Sequence, residues 1–511
     1  MQNHEIPLEA LSSWVNSPYR WGLATCRRAI IPLARITVLS AVGLLCLGSA
    51  LHAQSNGFSV PNPLVLPDST GQLATYTTNG FIDQTNPFFQ SLGTNGRTCN
   101  SCHRPENAWT ISPASLQARF NATAGRDPVF NAFDGTNCQT SDQSTLAARQ
   151  QASSLLLSKG LIRIGMKLPL SAEYSLSVEK DPYGCALTAD TAGNTIVSVY
   201  RRPLPSASVI FLSTVMWDGR ENAPGRSIND DLISQARDAT LGHAQASASP
   251  TDAQLQQIVS FQQGLFVAQS KDNLAGPLDG MKALGGAINL SAQNFFLGIN
   301  DPLGGNPTGA AFTPQVFTLY QPWLNLNQGT SKYIQQRRLI AQGAEIFNNK
   351  AITISGVAGL NDLVDPTTGK PVLGPQFQGT CTTCHDSLNV GNHSVSAPLN
   401  IGITEGDTDK IAAPLDVADL PVFVLTCPTP DFQGQTVFHT TDPGRALVSG
   451  KCKDIGKTKG PILRGLAGRA PYFHNGSVAS LMDAVTFYNN RFGIGLTDQE
   501  KAALVAFLNS L

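Results

Sequence analysis

Charge is scarce in this 511-residue chain. Only 14% of its residues are Asp, Glu, Lys or Arg, and they cancel to a formal net charge of −1. That excludes the basic stripe by which proteins bind nucleic acid or an anionic membrane surface. Aromatic residues are few as well, at 7%, and the chain holds 8 His and 5 Met. Any site built on imidazole or thioether must therefore draw on a short list. Past residue 53 no apolar run is long enough to span a bilayer. Strand-like alternation is also rare. By contrast, 46 Gly and 32 Pro predict many turns and long loops around compact elements. The length suffices for two or three domains, each with its own core.

The N-terminus reads as an export signal. Arg27, Arg28 and Arg35 precede the apolar run "ITVLSAVGLLCLGSALHA", which ends in small residues before Gln54. A basic region, an apolar region and an A-x-A-like site predict cleavage near Ala53 and a mature protein in the periplasm. An uncleaved anchor is the alternative, and the small residues favour cleavage. Of the 10 Cys, Cys26 and Cys46 fall in this segment and four belong to the motifs below. Cys138, Cys185, Cys427 and Cys452 remain, an even number that suggests two disulfides in an oxidising compartment. Sequence order and short loops favour Cys138–Cys185 and Cys427–Cys452, with three pairings open.

Two stretches carry chemistry. "GRTCNSCHRPENAW" holds Cys99, Cys102 and His103, and "GTCTTCHDSLN" holds Cys381, Cys384 and His385. C-x-x-C-H is the covalent attachment site of c-type haem: two thiols add across the vinyl groups, and the adjacent His is the proximal iron ligand. A C-x-x-C alone also suits a redox dithiol or half a zinc site. A His after both pairs, in an exported chain, favours two haems.

Between the motifs, "DDLISQARDATLGHA" and "TDAQLQQIVSFQQGLFVAQ" predict helix across residues 227–268, and "SKYIQQRRLIAQGAEIFNN" predicts another helix before the second motif. Thr497 and Glu500 form a capping box for a last helix, with Leu504, Phe507, Leu508 and Leu511 as its apolar stripe. The layout predicts a mainly α chain of two cytochrome c-like domains with long loop insertions. Residues 54–315 would form the N-terminal domain and 316–511 the C-terminal one.

At "LRGLAGRAPYFHNGSVASLMDAVTFYNN" (463–490) and "FLSTVMWDGRENAPG" the chain resembles the bacterial di-haem cytochrome c peroxidase and MauG superfamily. "LIAQGAEIF" before "CTTCH" and the final "EKAALVAFLNSL" fit as well. The resemblance covers roughly residues 85–511, with insertions at 104–200 and 386–455. It implies that the haem on Cys99, Cys102 and His103 meets hydrogen peroxide. The haem on Cys381, Cys384 and His385 would receive electrons from a small periplasmic donor protein or a protein substrate. Trp217 matches the tryptophan between the two haems, a relay by its oxidisable ring or else a packed core residue. Tyr488 falls at the place of the second haem's sixth ligand, with His474 as its rival and Met482 as a minor candidate. Many peroxidases of this type are homodimers.

The chain also departs from that pattern. No His lies between His103 and His243, so the first haem should be five-coordinate and open. The loop that carries a catalytic Glu in the peroxidases reads "QARDATLGHAQA" here. His243 would then serve as acid and base for O–O cleavage, with Gln245 orienting the ligand, unless His243 caps the iron itself. Arg202 and Arg469 stand about where the family binds calcium, and two cations argue against that ion. A peroxidase or MauG-like oxidase is the leading reading. A di-haem electron carrier without turnover and an oxygenase like the haem rubber oxygenases are the alternatives.

Overall fold

A computed structural model describes residues 59–511 apart from 328 and 330, and the predicted export signal lies outside the described residues. Residues Asn56–Leu511 make one compact unit. Among the described residues no helix is long and apolar enough to cross a membrane.

The last helix forms as its sequence demands. In Asp498–Asn509, Thr497 Oγ1 accepts from the Glu500 N–H at 3.2 Å, and Glu500 Oε2 accepts from the Thr497 N–H at 2.8 Å. Such reciprocal capping contributes about 1 kcal/mol. Helix Lys332–Asn349 runs beside it, and at Gly343 an added Cβ would lie 2.0 Å from the Ala503 carbonyl. Only glycine permits so close an approach. Around this pair Phe317, Tyr320, Trp323, Phe347, Phe507 and Leu511 build one core. A second core, with Phe88, Trp109, Leu255, Ile258 and Val259, lies under helices Ile228–Gly242 and Asp252–Gln263.

A mainly α class is overturned: 29% of the structure is helix and 16% strand. The strands make five small antiparallel sheets. One reason is a single glycine. The helical pattern across "IVSFQQGLFVAQ" stops at Gly264, and Leu265–Asp272 continues as a strand paired with Gly71–Thr77. Its β-branched and aromatic residues suit a pleat, and five successive positions from Leu265 are buried, so no alternation betrays it. Two of the other four sheets come from the insertions. Strand Thr195–Arg201 pairs with Ile162–Lys167 and Leu187–Ala189. Strand Val422–Thr426 lies between Val437–Thr440 and Ser175–Lys180, which joins one insertion to the other. Disulfides Cys138–Cys185 and Cys427–Cys452 close loops within these two segments.

Candidate active site

One local structure is built twice. Thr98 and Thr380 lead into single-turn helices, Cys99–Ser101 and Cys381–Thr383. In each, a hydroxyl three residues on, Ser101 Oγ or Thr383 Oγ1, accepts from the threonine's N–H at 3.0 Å. The turn then folds the His N–H onto the carbonyl of the first Cys, at 3.0 Å for His103 and 3.2 Å for His385. Two thiols and an imidazole therefore leave the chain from one tight turn.

The four motif thiols are unpaired, while the other four cysteines of the described residues form disulfides. Burial pushes Cys99, Cys381 and Cys384 up to about 12, and raises Cys102 too. A redox dithiol needs the opposite shift. Each imidazole is fixed by the same device, Nδ1 against a carbonyl six residues on: Trp109 at 3.0 Å for His103, Gly391 at 2.6 Å for His385. Burial lowers His103 to about 4 and lowers His385 as well, so both rings are neutral. A neutral ring that donates from Nδ1 keeps the Nε2 lone pair for a metal. Two protonated thiols beside such an imidazole fit a c-type haem, and they do so at both motifs.

Each motif opens onto its own largely apolar cavity. Cys99, Cys102 and His103 line the first with Leu232, Ile258, Asp134 and His243. Cys381, Cys384 and His385 line the second with Phe347, Leu508, Tyr488 and His474. One wall serves both cavities: Arg202, the Pro203–Leu204–Pro205 segment, Trp217, Lys459 and Arg469. Trp217 is clamped in that wall. Its Nε1 donates to the Arg202 carbonyl at 2.8 Å, its own carbonyl accepts from the Lys459 N–H at 2.8 Å, and its ring meets His474 edge-on at 6.0 Å.

His243 caps the C-terminus of helix Ile228–Gly242 and faces the first cavity. Its Nδ1 lies 2.5 Å from Asp134 Oδ2. Asp134, 2% exposed, also pairs with the Arg97 guanidinium. Burial opposes the Asp134 charge, but the His243 hydrogen bond and the Arg97 charge outweigh it and hold the carboxyl below its usual range. An ionised carboxylate only accepts, so Nδ1 carries a proton and Nε2 is the nitrogen that exchanges one with the cavity. Gln245 is placed differently. It does not line the cavity, and its Oε1 faces Asn95 Nδ2 at 3.3 Å. Arg97 and Asp134 escaped the sequence reading. Arg97 is one ordinary cation two residues before Cys99, and Asp134 lies in an insertion without a motif.

In the second cavity Tyr488 stacks on Phe492 and meets Phe473 and Phe487 edge-on. Burial holds its hydroxyl well above the usual range. His474 is fully buried, with Nε2 3.5 Å from Asp442 Oδ2 and no hydrogen bond on either ring nitrogen. Asp442 itself is clamped by Arg201, whose Nε and Nη2 donate to it at 2.6 and 2.9 Å. Met482 is exposed and lines neither cavity.

No protein-family model matches the chain. Two cytochrome-c peroxidases of Denitromonas iodatirespirans, IdrP2 and IdrP1, are 32% and 30% identical to it over 141 and 147 residues. Each match covers 26% of this chain and 36% of the relative, so the chain spans about a third of the length of these curated relatives. IdrP1 of Pseudomonas sp. (strain SCT) is 38% identical over 81 residues, covering 14% of this chain and 21% of that one. A solved structure of a MauG-like protein associated with microbial copper homeostasis aligns over 83% of this chain and 86% of that one, with a TM-score of 0.36 and 16% identity.

Proposed function

We propose that this relative of the bacterial di-haem cytochrome c peroxidases is a periplasmic oxidoreductase that reduces hydrogen peroxide in its first cavity, with electrons entering through the second. One observation carries the reading: two C-x-x-C-H cavities share a wall that holds Trp217, and the first has, besides its motif histidine, a second histidine oriented by a carboxylate. Cys99, Cys102 and His103 would hold one haem, and Cys381, Cys384 and His385 the other. When bound, such a haem supplies the redox-active, Lewis-acidic iron that O–O cleavage requires.

The chain's own residues supply the rest. His243 Nε2 takes the proton of peroxide and returns it to the departing oxygen, so that water leaves rather than hydroxide. Asp134 keeps the ring in the tautomer that makes Nε2 the base and stabilises the imidazolium formed in between. Arg97 fixes Asp134 and keeps it ionised. Apolar residues such as Leu232 and Ile258 exclude bulk water from the site. Trp217, touching both cavities, offers an oxidisable ring as the path between them. The electrons come from a small donor protein or a protein substrate. Tyr488 and His474, which both line the second cavity, would be the rival side-chain ligands for the second haem.

The test is stopped-flow optical spectroscopy of the purified di-haem protein with near-stoichiometric hydrogen peroxide. A fast spectral change that a reduced small cytochrome reverses supports the reading. No change in either the ferric or the half-reduced protein sinks it and favours an electron carrier without turnover or an oxygen-dependent enzyme.

A further inference from the structure

The wall between the cavities holds three buried cations that no carboxylate among the described residues neutralises. Arg202, Lys459 and Arg469 are 5%, 7% and 8% exposed, and all three line both cavities. Arg202 gives Nη1 to the Lys159 carbonyl at 2.7 Å and Nη2 to the carbonyls of Ile111 and Arg469 at 2.8 and 3.0 Å. Lys459 Nζ donates to the Thr214 carbonyl at 3.0 Å, and Arg469 Nη2 to the Ile462 carbonyl at 2.7 Å. Arg469 Nε has no partner at all.

Two other buried arginines on the first cavity are treated differently, while Arg464 there again meets only backbone oxygens. Arg201, the neighbour of Arg202 in sequence, is paired with Asp218 and Asp442, and Arg97 is paired with Asp134. Among the described residues, the charged or titratable groups that act on Arg202, Lys459 and Arg469 are one another and Tyr472. Burial therefore pulls Lys459 down to about 7, Arg202 to about 9 and Arg469 to about 10. Uncompensated charge in a protein interior is costly, and three on one wall call for anions.

We propose that Arg202, Lys459 and Arg469 form a shared cationic bridge that receives the propionate carboxylates of both haems. This rests on the di-haem reading of the two motifs. A c-type haem brings two carboxylates, and its vinyl edge is taken by the cysteine turn, so the acidic edge must find its counter-charge elsewhere in the cavity. Side-chain cations reaching both cavities then do what a bound metal ion would otherwise do: neutralise the two haems together and tie their potentials to one set of charges. A fixed positive charge beside a haem favours its reduced form, so the bridge raises both midpoint potentials.

The experiment uses the full-length holoprotein and its Lys459→Met, Lys459→Arg and Arg469→Met variants. Covalently bound haem is counted first, by mass and by haemochromogen absorbance. Each haem's midpoint is then measured by spectroelectrochemistry, and the propionate bending bands by resonance Raman. With two haems bound, Lys459→Met and Arg469→Met lower both midpoints and shift the propionate bands, and Lys459→Arg restores both readouts. Unchanged midpoints and bands in both Met variants overturn the bridge while leaving the di-haem reading intact. A shift confined to one haem overturns its shared character. Fewer than two haems in the unaltered protein overturns the underlying reading as well.

Discussion

Asp134 precedes His243 by 109 residues, yet its carboxylate lies 2.5 Å from the imidazole Nδ1 and decides which ring nitrogen is basic. A residue of the first insertion thus sets the chemistry of a helix cap. Replacing His243 with Ala should lower kcat/KM for peroxide by about 10²–10⁴. Asp134→Asn, which keeps the shape but can donate to Nδ1 and so turn the ring, should lower it by at least about tenfold and shift its pH profile. Steady-state peroxide consumption from pH 5 to 8 checks both. A variant Asp134→Asn with the rate and profile of the unaltered protein refutes the assignment.

Acid should unfold this protein through its buried carboxylates. Burial works against the charges of Asp218 and Asp442, but Arg201 outweighs it and holds both below the usual range; His243 and Arg97 do the same for Asp134. Depressed folded values stabilise above the unfolded carboxylate value of about 3.9, and that stability drains away as pH falls through the folded values. The thermal midpoint should stay level from about pH 7 to 5 and drop below about 4. Arg201→Met should cost about 3–5 kcal/mol at pH 7, because Asp442 loses its arginine and Asp218 keeps only Arg220, and less at pH 3. Calorimetry across pH gives the answer.

Each motif should attach one haem independently. Cys102→Ala and Cys384→Ala should each lose the double thioether at their own site and leave the other intact. Intact-mass measurement of denatured protein reads this directly. Two fully attached haems in either variant would be incompatible with the sites drawn here.

Trp217→Phe keeps a planar apolar ring but loses the oxidisable indole and its hydrogen bond to Arg202. Two haems should remain, while donor-supported peroxide turnover falls by at least about tenfold, equivalent to ~1.4 kcal/mol. Rapid-mixing kinetics with a reduced donor distinguish this from a packing role, which would move thermal stability and leave turnover alone.

The disulfides should matter for folding. Loop separations of 47 and 25 residues give about 4 kcal/mol for Cys138–Cys185 and about 3.5 kcal/mol for Cys427–Cys452 in the chain-entropy account. Paired Cys→Ser replacements should lower the urea midpoint accordingly, with the larger loss for the first pair.

Features set within a few residues were legible in the sequence. The Thr497–Glu500 box, the helix before Cys381 and the donor set of each C-x-x-C-H turn depend on neighbours along the chain, and the structure has them. What escaped depends on distant partners. "LFVAQ" is equally apolar on a helix or a buried strand, and only pairing with Gly71–Thr77 makes it a strand. The strands of both insertions are short and stabilised by one another, so neither looks convincing alone. Arg202 and Arg469 stand out in the sequence only as cations at the family's calcium position, and Lys459 not at all; that all three line both cavities comes from the fold.

The pairing of Ser175–Lys180 with Val422–Thr426 has a consequence in time. The chain is made from its N-terminus, so the earlier strand has no neighbour until the later one exists. At ordinary synthesis rates that wait is roughly 10–50 s. Leu176 and Val178 must meanwhile stay covered or be kept from other chains, since an apolar edge is a template for the wrong pairing. Trimming either insertion by itself would make that wait permanent, leaving the surviving strand as an open edge on an otherwise finished protein.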